Sequence, residues 1–201
     1  MPGGPSGLRF ERARDRALTS IGVECMRARA TAIEHSGDAW RVSTEEGTML
    51  EAHAVVFATG GMLGGGLEYA PPQIIDASAL PPFSRPPLRL SIGAPLVLGM
   101  QGRPLELPSS LFGLEPERIA WPFVRDGLLD RAGVLVDADG AGLGPAQNLY
   151  AAGELVADIP RAWLACLASG VRAGGSAARD ALTAPPRSSG ASRREAPATR
   201  P

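Results

Sequence analysis

The sequence predicts an α/β fold, and three observations carry that reading. A segment with helical spacing opens the chain and is followed by short strand-like runs separated by turn residues. A continuously apolar run then ends in a Gly-Gly turn. Near the carboxy end a second short apolar strand leads into an Ala-rich helical segment, so strands and helices alternate along the chain. With 201 residues, 44% of them hydrophobic, the chain can bury one ordinary core and a small appended lobe.

From Leu8 to Ile21, Phe10, Ala13, Ala17 and Ile21 fall near helical spacing, which predicts a surface helix ended by Gly22. ARATAIEH runs to a turn at Ser36-Gly37-Asp38, and AWRVSTE places Trp40, Val42 and Thr44 on one face. MLEAHAVVFATGG is the third such run, and the three together are expected as an antiparallel pair or meander leading into a buried strand. The stretch from Ala54 to Ala58 is continuously apolar, as in a strand buried on both faces. Prolines then become frequent, as in YAPP, LPPF and RPPL, and only LRLSI and APLVLGM suggest further strands. GVLVDADG predicts a short strand entering an Asp-Gly turn. NLYAAGE follows as a strand halted by Gly153, and Trp163 to Leu182 reads as a helix carrying Gly170, Gly174 and Gly175, glycines of the kind that mark a close approach. The expected organisation is residues 8–61 as helix plus meander, 62–131 as an irregular cap or substrate segment, 132–183 as the closing strand and helix, and 184–201 as a disordered tail.

Composition excludes several function classes. A formal charge of −1 gives no reason to expect nucleic acid, whose binding normally shows as a strongly basic face. Cys25 and Cys166 lie far apart, and His35 and His53 have no nearby partner, so no metal site or disulfide framework is expected. No stretch approaches the roughly 20 apolar residues of a membrane span, and MPGGPSG lacks the features of a signal peptide. The expectation is a cytoplasmic protein.

Two turns carry the chemistry. In VVFATGG, Thr59 offers a hydroxyl, and Gly60 and Gly61 let the backbone approach a ligand closely. In NLYAAGE, Glu154 follows a tight strand end, where a carboxylate can accept hydrogen bonds from ribose or ribitol hydroxyls. Each has a plainer reading, as an ordinary Gly-Gly turn and as an exposed acidic residue. Their order, with the GVLVD strand between them and a glycine-containing helix after them, is more specific than either alone.

That order resembles the FAD-dependent oxidoreductases of the fumarate reductase and succinate dehydrogenase flavoprotein type. A closer resemblance is to the B-type subunit of anaerobic glycerol-3-phosphate dehydrogenase, through GMLGGGLE, Asp158 and CLASGVRAGGSAA. The resemblance implies an incomplete FAD/NAD(P)-binding, Rossmann-like domain, its carboxy-terminal part, with FAD or FMN as cofactor. It implies Thr59, Gly60 and Gly61 against the nucleotide, Gly153 and Glu154 by the ribityl chain, Asp158 in the same block, and Ser169, Gly170 and Val171 near a helix end facing the pyrimidine edge of the flavin.

Two features depart from that pattern. The strand, G-x-G-x-x-G turn and helix that cradle a pyrophosphate are not found in these residues, and the Gly64 to Gly66 run does not replace them. After AGE the chain reads LVADIPRAWLACLASG, with Pro160, Arg161 and Trp163 bulkier than expected beside a flavin. Two functional readings follow: a flavin-dependent oxidoreductase or part of one, or a non-catalytic subunit or truncated remnant acting as an interaction module. A partner subunit supplying the missing loop, and peripheral membrane association through such a partner, fit either. A pyridine-nucleotide disulfide oxidoreductase is disfavoured by the lack of a C-x-x-C pair. Arg85, Arg89, Arg103 and Arg125 are candidates for an anionic substrate, with solvated surface the better reading. Trp40, Trp121 and Trp163 are expected as packing anchors and both histidines as sheet-surface residues. No catalytic residue is assigned.

Overall fold

The computed structural model describes residues 5–62, 64–69, 88–105 and 127–184. Helix α1, Pro5–Ser20, is the first expected element. Its apolar side is left to solvent, with Leu8 and Phe10 both exposed. The meander is β1, Ala30–Ser36, β2, Ala39–Thr44, and β3, Met49–Ala52, paired antiparallel in that order. Trp40 is its anchor: the ring is buried, and its Nε1–H donates to the Gln147 carbonyl at 2.9 Å. His35 lies exposed on the sheet surface with its ring edge-on to Trp40, and His53 is half-buried.

The third expected strand is two strands in different sheets. β3 ends at Ala52, and after His53 and Ala54 the chain enters β4, Val55–Phe57. The apolar composition is continuous across the break, but the pairing changes: β3 runs antiparallel to β2, whereas β4 runs parallel to β10, Leu149–Ala151. Nor is β4 covered on both faces, because Phe57 is buried while Val56 is 37% exposed.

Beyond β4, β5, Leu67–Tyr69, pairs with β6, Leu88–Leu90. A third small sheet has the order β8, Arg103–Pro104, then β7, Leu98–Met100, then β9, Gly133–Val134. The LRLSI and APLVLGM runs are therefore strands. A single turn of helix, α2, Leu128–Arg131, precedes β9. The expected Asp-Gly turn is present: Asp137 Oδ1 accepts the N–H groups of Asp139 and Ala141, each at 2.9 Å, and Gly140 adopts φ +83. Arg85, Trp121, Arg125, most of the cap and the tail after Ala184 lie outside the described residues.

After β10 a 3₁₀ turn, Gly153–Leu155, leads to helix α3, Trp163–Thr183. Its buried positions, Ser169, Ala173, Ser176 and Ala177, recur at helical spacing and are all small, which lets the helix lie close on β10. The helix glycines do not serve that approach, since a Cβ on Gly170, Gly174 or Gly175 would meet nothing within 4 Å. Trp163 is 66% exposed, so it is not a packing anchor.

The core is layered across β10 by its period of two. Leu149 and Ala151 enter the main cluster with Ile33, Trp40, Phe57, Val134 and Leu155. Tyr150 and Ala152 face the other way, onto Ala173 and Ala177 of α3.

Candidate functional site

The parallel pairing builds the candidate site. Leu149 lies beside Val55, Tyr150 beside Val56, and Ala151 beside Phe57, so both strands deliver their following turns to the same end of the pair. In parallel α/β sheets the carboxyl ends of the strands are where ligands sit. The Ala152 N–H donates to the Phe57 carbonyl at 2.8 Å and extends the pairing into the turns.

There the turns touch. An ideal Cβ on Gly61 would lie 2.7 Å from the Glu154 carbonyl oxygen and 3.4 Å from Arg161 Nη2. Gly61 is thus required for turn-to-turn packing, a need that local sequence does not reveal. Gly60, at φ +84, begins a loop that folds back on itself, and a Cβ on Gly66 would lie 2.6 Å from Thr59 Oγ1. Thr59 itself is exposed.

Gly153 and Ser169, sixteen residues apart, are also brought together. The Gly153 N–H donates to Ser169 Oγ at 2.8 Å, and that hydroxyl donates to the Cys166 carbonyl at 2.8 Å. Ser169 is buried and acts as a brace between α3 and the second turn. This corrects the placement of Ser169, Gly170 and Val171 near a helix end. The helix begins at Trp163, so these residues lie in its body, where backbone N–H groups are committed to the preceding turn. Val171 is 70% exposed. A helix dipole could act on a ligand only at the first turn, from Trp163 onward.

Asp158 is directed elsewhere. It adopts φ +60, its Oδ2 accepts the Gly102 N–H at 3.2 Å, and it serves the turn between β7 and β8. Arg89 is exposed and paired with Glu68 at 3.3 Å, and Arg103 is exposed. These arrangements agree with the solvated-surface reading. Cys25 and Cys166 are free, and no group of three or more metal-binding side chains occurs among the described residues.

Arg161, conspicuous in the sequence only for its bulk, is central to the junction. Its side chain is 17% exposed, with Nη1 3.6 Å from Glu154 Oε2 and Nε 3.4 Å from Asp130 Oδ1. Together with its approach to Gly61, the guanidinium joins the turn after β4, the turn after β10, and α2.

These residues fit the polyol part of a nucleotide. Glu154 supplies an acceptor and Thr59 a hydroxyl, while the position a Cβ would take on Gly153 has nothing within 4 Å. A pocket of about 390 Å³ at the opposite end of the strands is lined by Asp38, His53, Asn148, Asp180, Thr183 and Ala184. It lies where β4 and β10 begin. The turn end is favoured because both strand exits converge there.

A family model described as FAD-NAD(P)-binding matches residues 8–62. No curated protein and no solved structure matches the chain. No helix among the described residues is long and apolar enough to cross a membrane. The matched segment runs from α1 through the meander to the turn at Thr59, Gly60 and Gly61, and it supports a flavoprotein-type, FAD/NAD(P)-binding domain of mixed helix and sheet.

Proposed function

We propose that this chain is a flavin-dependent oxidoreductase or part of one, similar to the B-type subunit of anaerobic glycerol-3-phosphate dehydrogenase. Its own residues bind the polyol portion of FAD or FMN between Thr59 to Gly61 and Gly153 to Glu154. The observation that carries this reading is the contact between Gly61 and Glu154 at the carboxyl end of the β4 and β10 pair. The family match over residues 8–62 supports a flavin or nicotinamide dinucleotide in general. When bound, the flavin supplies hydride or electron transfer. The chain positions it. Glu154 accepts hydroxyl hydrogen bonds, Ser169 fixes the turn that presents it, and Gly61 keeps the two turns in register.

A second reading is favoured by the edge of β4. Val55 donates to Asn148, and Phe57 accepts from Ala152, so by alternation the Val56 backbone groups point away from β10. No strand pairs on that side among the described residues. An open parallel edge suits a subunit that receives a strand from a partner, including one that supplies the missing glycine-rich loop in the cytoplasm or at a membrane surface.

The visible spectrum of the purified chain, before and after adding FAD or FMN, tests the first reading. Retention of yellow flavin through gel filtration is expected. A chain that stays colourless with both flavins overturns unaided flavin binding and leaves the partner-completed subunit as the reading to pursue.

A further inference from the structure

Resting on that reading of the turns as a dinucleotide site, we infer that Arg161 is a positioning residue for Glu154, and that the junction they form recognises the neutral polyol part of the ligand and rejects its phosphates. Arg161 belongs to neither motif. It reaches the junction from the segment between the 3₁₀ turn and α3, and its largely buried guanidinium lies 3.6 Å from Glu154 and 3.4 Å from Asp130.

The charge balance sets the ligand class. Among the described residues the junction holds two carboxylates, Glu154 and Asp130, around one guanidinium. A phosphate placed there would meet an excess of like charge, whereas hydroxyl groups would not. The Glu154 side chain keeps 38% of its surface, so one side rests against Arg161 and lone pairs remain for a donor. A guanidinium held at ion-pair distance from two carboxylates, with Nη2 3.4 Å from where a Gly61 Cβ would lie, draws the Glu154 carboxylate toward itself by charge attraction more than it offers a new anion site.

The test is an equilibrium titration of the full chain, followed by flavin fluorescence, with FAD and with riboflavin, which lacks phosphate. Inorganic pyrophosphate serves as competitor. Riboflavin should bind within about tenfold of FAD, and pyrophosphate should not displace it. Arg161→Ala should weaken both flavins about tenfold, Arg161→Lys should regain part of that loss, and Glu154→Gln should weaken both alike. Displacement by pyrophosphate, or FAD binding without riboflavin binding, overturns the inference and makes Arg161 an anion-binding group. Unchanged affinity in Arg161→Ala also overturns it while leaving the dinucleotide site standing. If the wild-type chain binds neither flavin, the reading of the site fails and this inference fails with it. The riboflavin and pyrophosphate arms need no variant, so a substitution that prevents folding does not block the test.

Discussion

β4 and β10 are parallel neighbours of three residues each, similar in apolar character, yet they occupy different environments. β10 is buried throughout and bonded on both edges: Gly142 donates to Leu149 and Ala151 donates to Gly140 on the side away from β4. Among the described residues β4 is bonded on one edge, and its Val56, beside Tyr150 on the face that α3 contacts, still keeps 37% of its surface exposed. β10 therefore anchors the candidate site, while β4 carries the Thr59 to Gly61 turn from an edge. The contact of Gly61 with Glu154 is then what ties the edge strand's turn to the anchored one.

The largest expected effect falls on the anchor. Leu149 has no exposed surface, and Leu149→Ala should lower unfolding free energy by about 2–5 kcal/mol, read from the denaturant midpoint. Next is the tie between the turns. Gly61→Ala places a methyl 2.7 Å from the Glu154 carbonyl and should cost about 1–3 kcal/mol, with faster amide exchange in the 3₁₀ turn. A loss under a few tenths of a kcal/mol would show that the turns are not in contact.

Tyr150 probes the anchored strand from the helix side, because its hydroxyl donates to Asp180 and fastens β10 to α3. Tyr150→Phe should cost about 1 kcal/mol. Burial, and then the Asp180 carboxylate, push the phenol up from 10.0 to about 12. The folded chain therefore keeps a proton that the unfolded chain has released. This stabilisation is complete below pH 10 and is lost as the pH rises toward 12, and equilibrium unfolding across that window should show the loss in the wild type but not in Tyr150→Phe. The smallest effect is expected at the edge strand: Val56→Ala should stay within about 0.5 kcal/mol of the wild type. A loss of 2 kcal/mol there would be incompatible with an edge position.

Much of this was legible in the sequence, for physical reasons particular to each element. The helical spacing of Phe10, Ala13 and Ala17 identified α1, and the turns at Gly37 and Gly47 separated β1, β2 and β3. Asn148 to Gly153 showed a short strand ended by a glycine, which is β10 and its turn. The division between β3 and β4 was hidden because no Gly, Pro or Asn interrupts Met49 to Ala58, and which sheet a strand joins is decided by partners about a hundred residues away. The same distance hid the Trp40 bond to Gln147. Both site turns were visible, but the reason for Gly61 was not, since the atom it makes room for belongs to Glu154. Arg161 stood out only as a bulky residue in a small-residue context, and its ion pairs depend on a fold that returns α2 to the second turn.

Whether the turns after β4 and β10 form one dinucleotide site can be read by amide hydrogen exchange of the full chain with and without saturating FAD. A shared site requires protection at Thr59 to Gly61 and at Gly153 to Leu155, with no change around His53, Asn148 and Asp180 at the other end of the same strands. Protection confined to that opposite end, or saturable FAD binding that leaves both turns unprotected, would rule the shared site out.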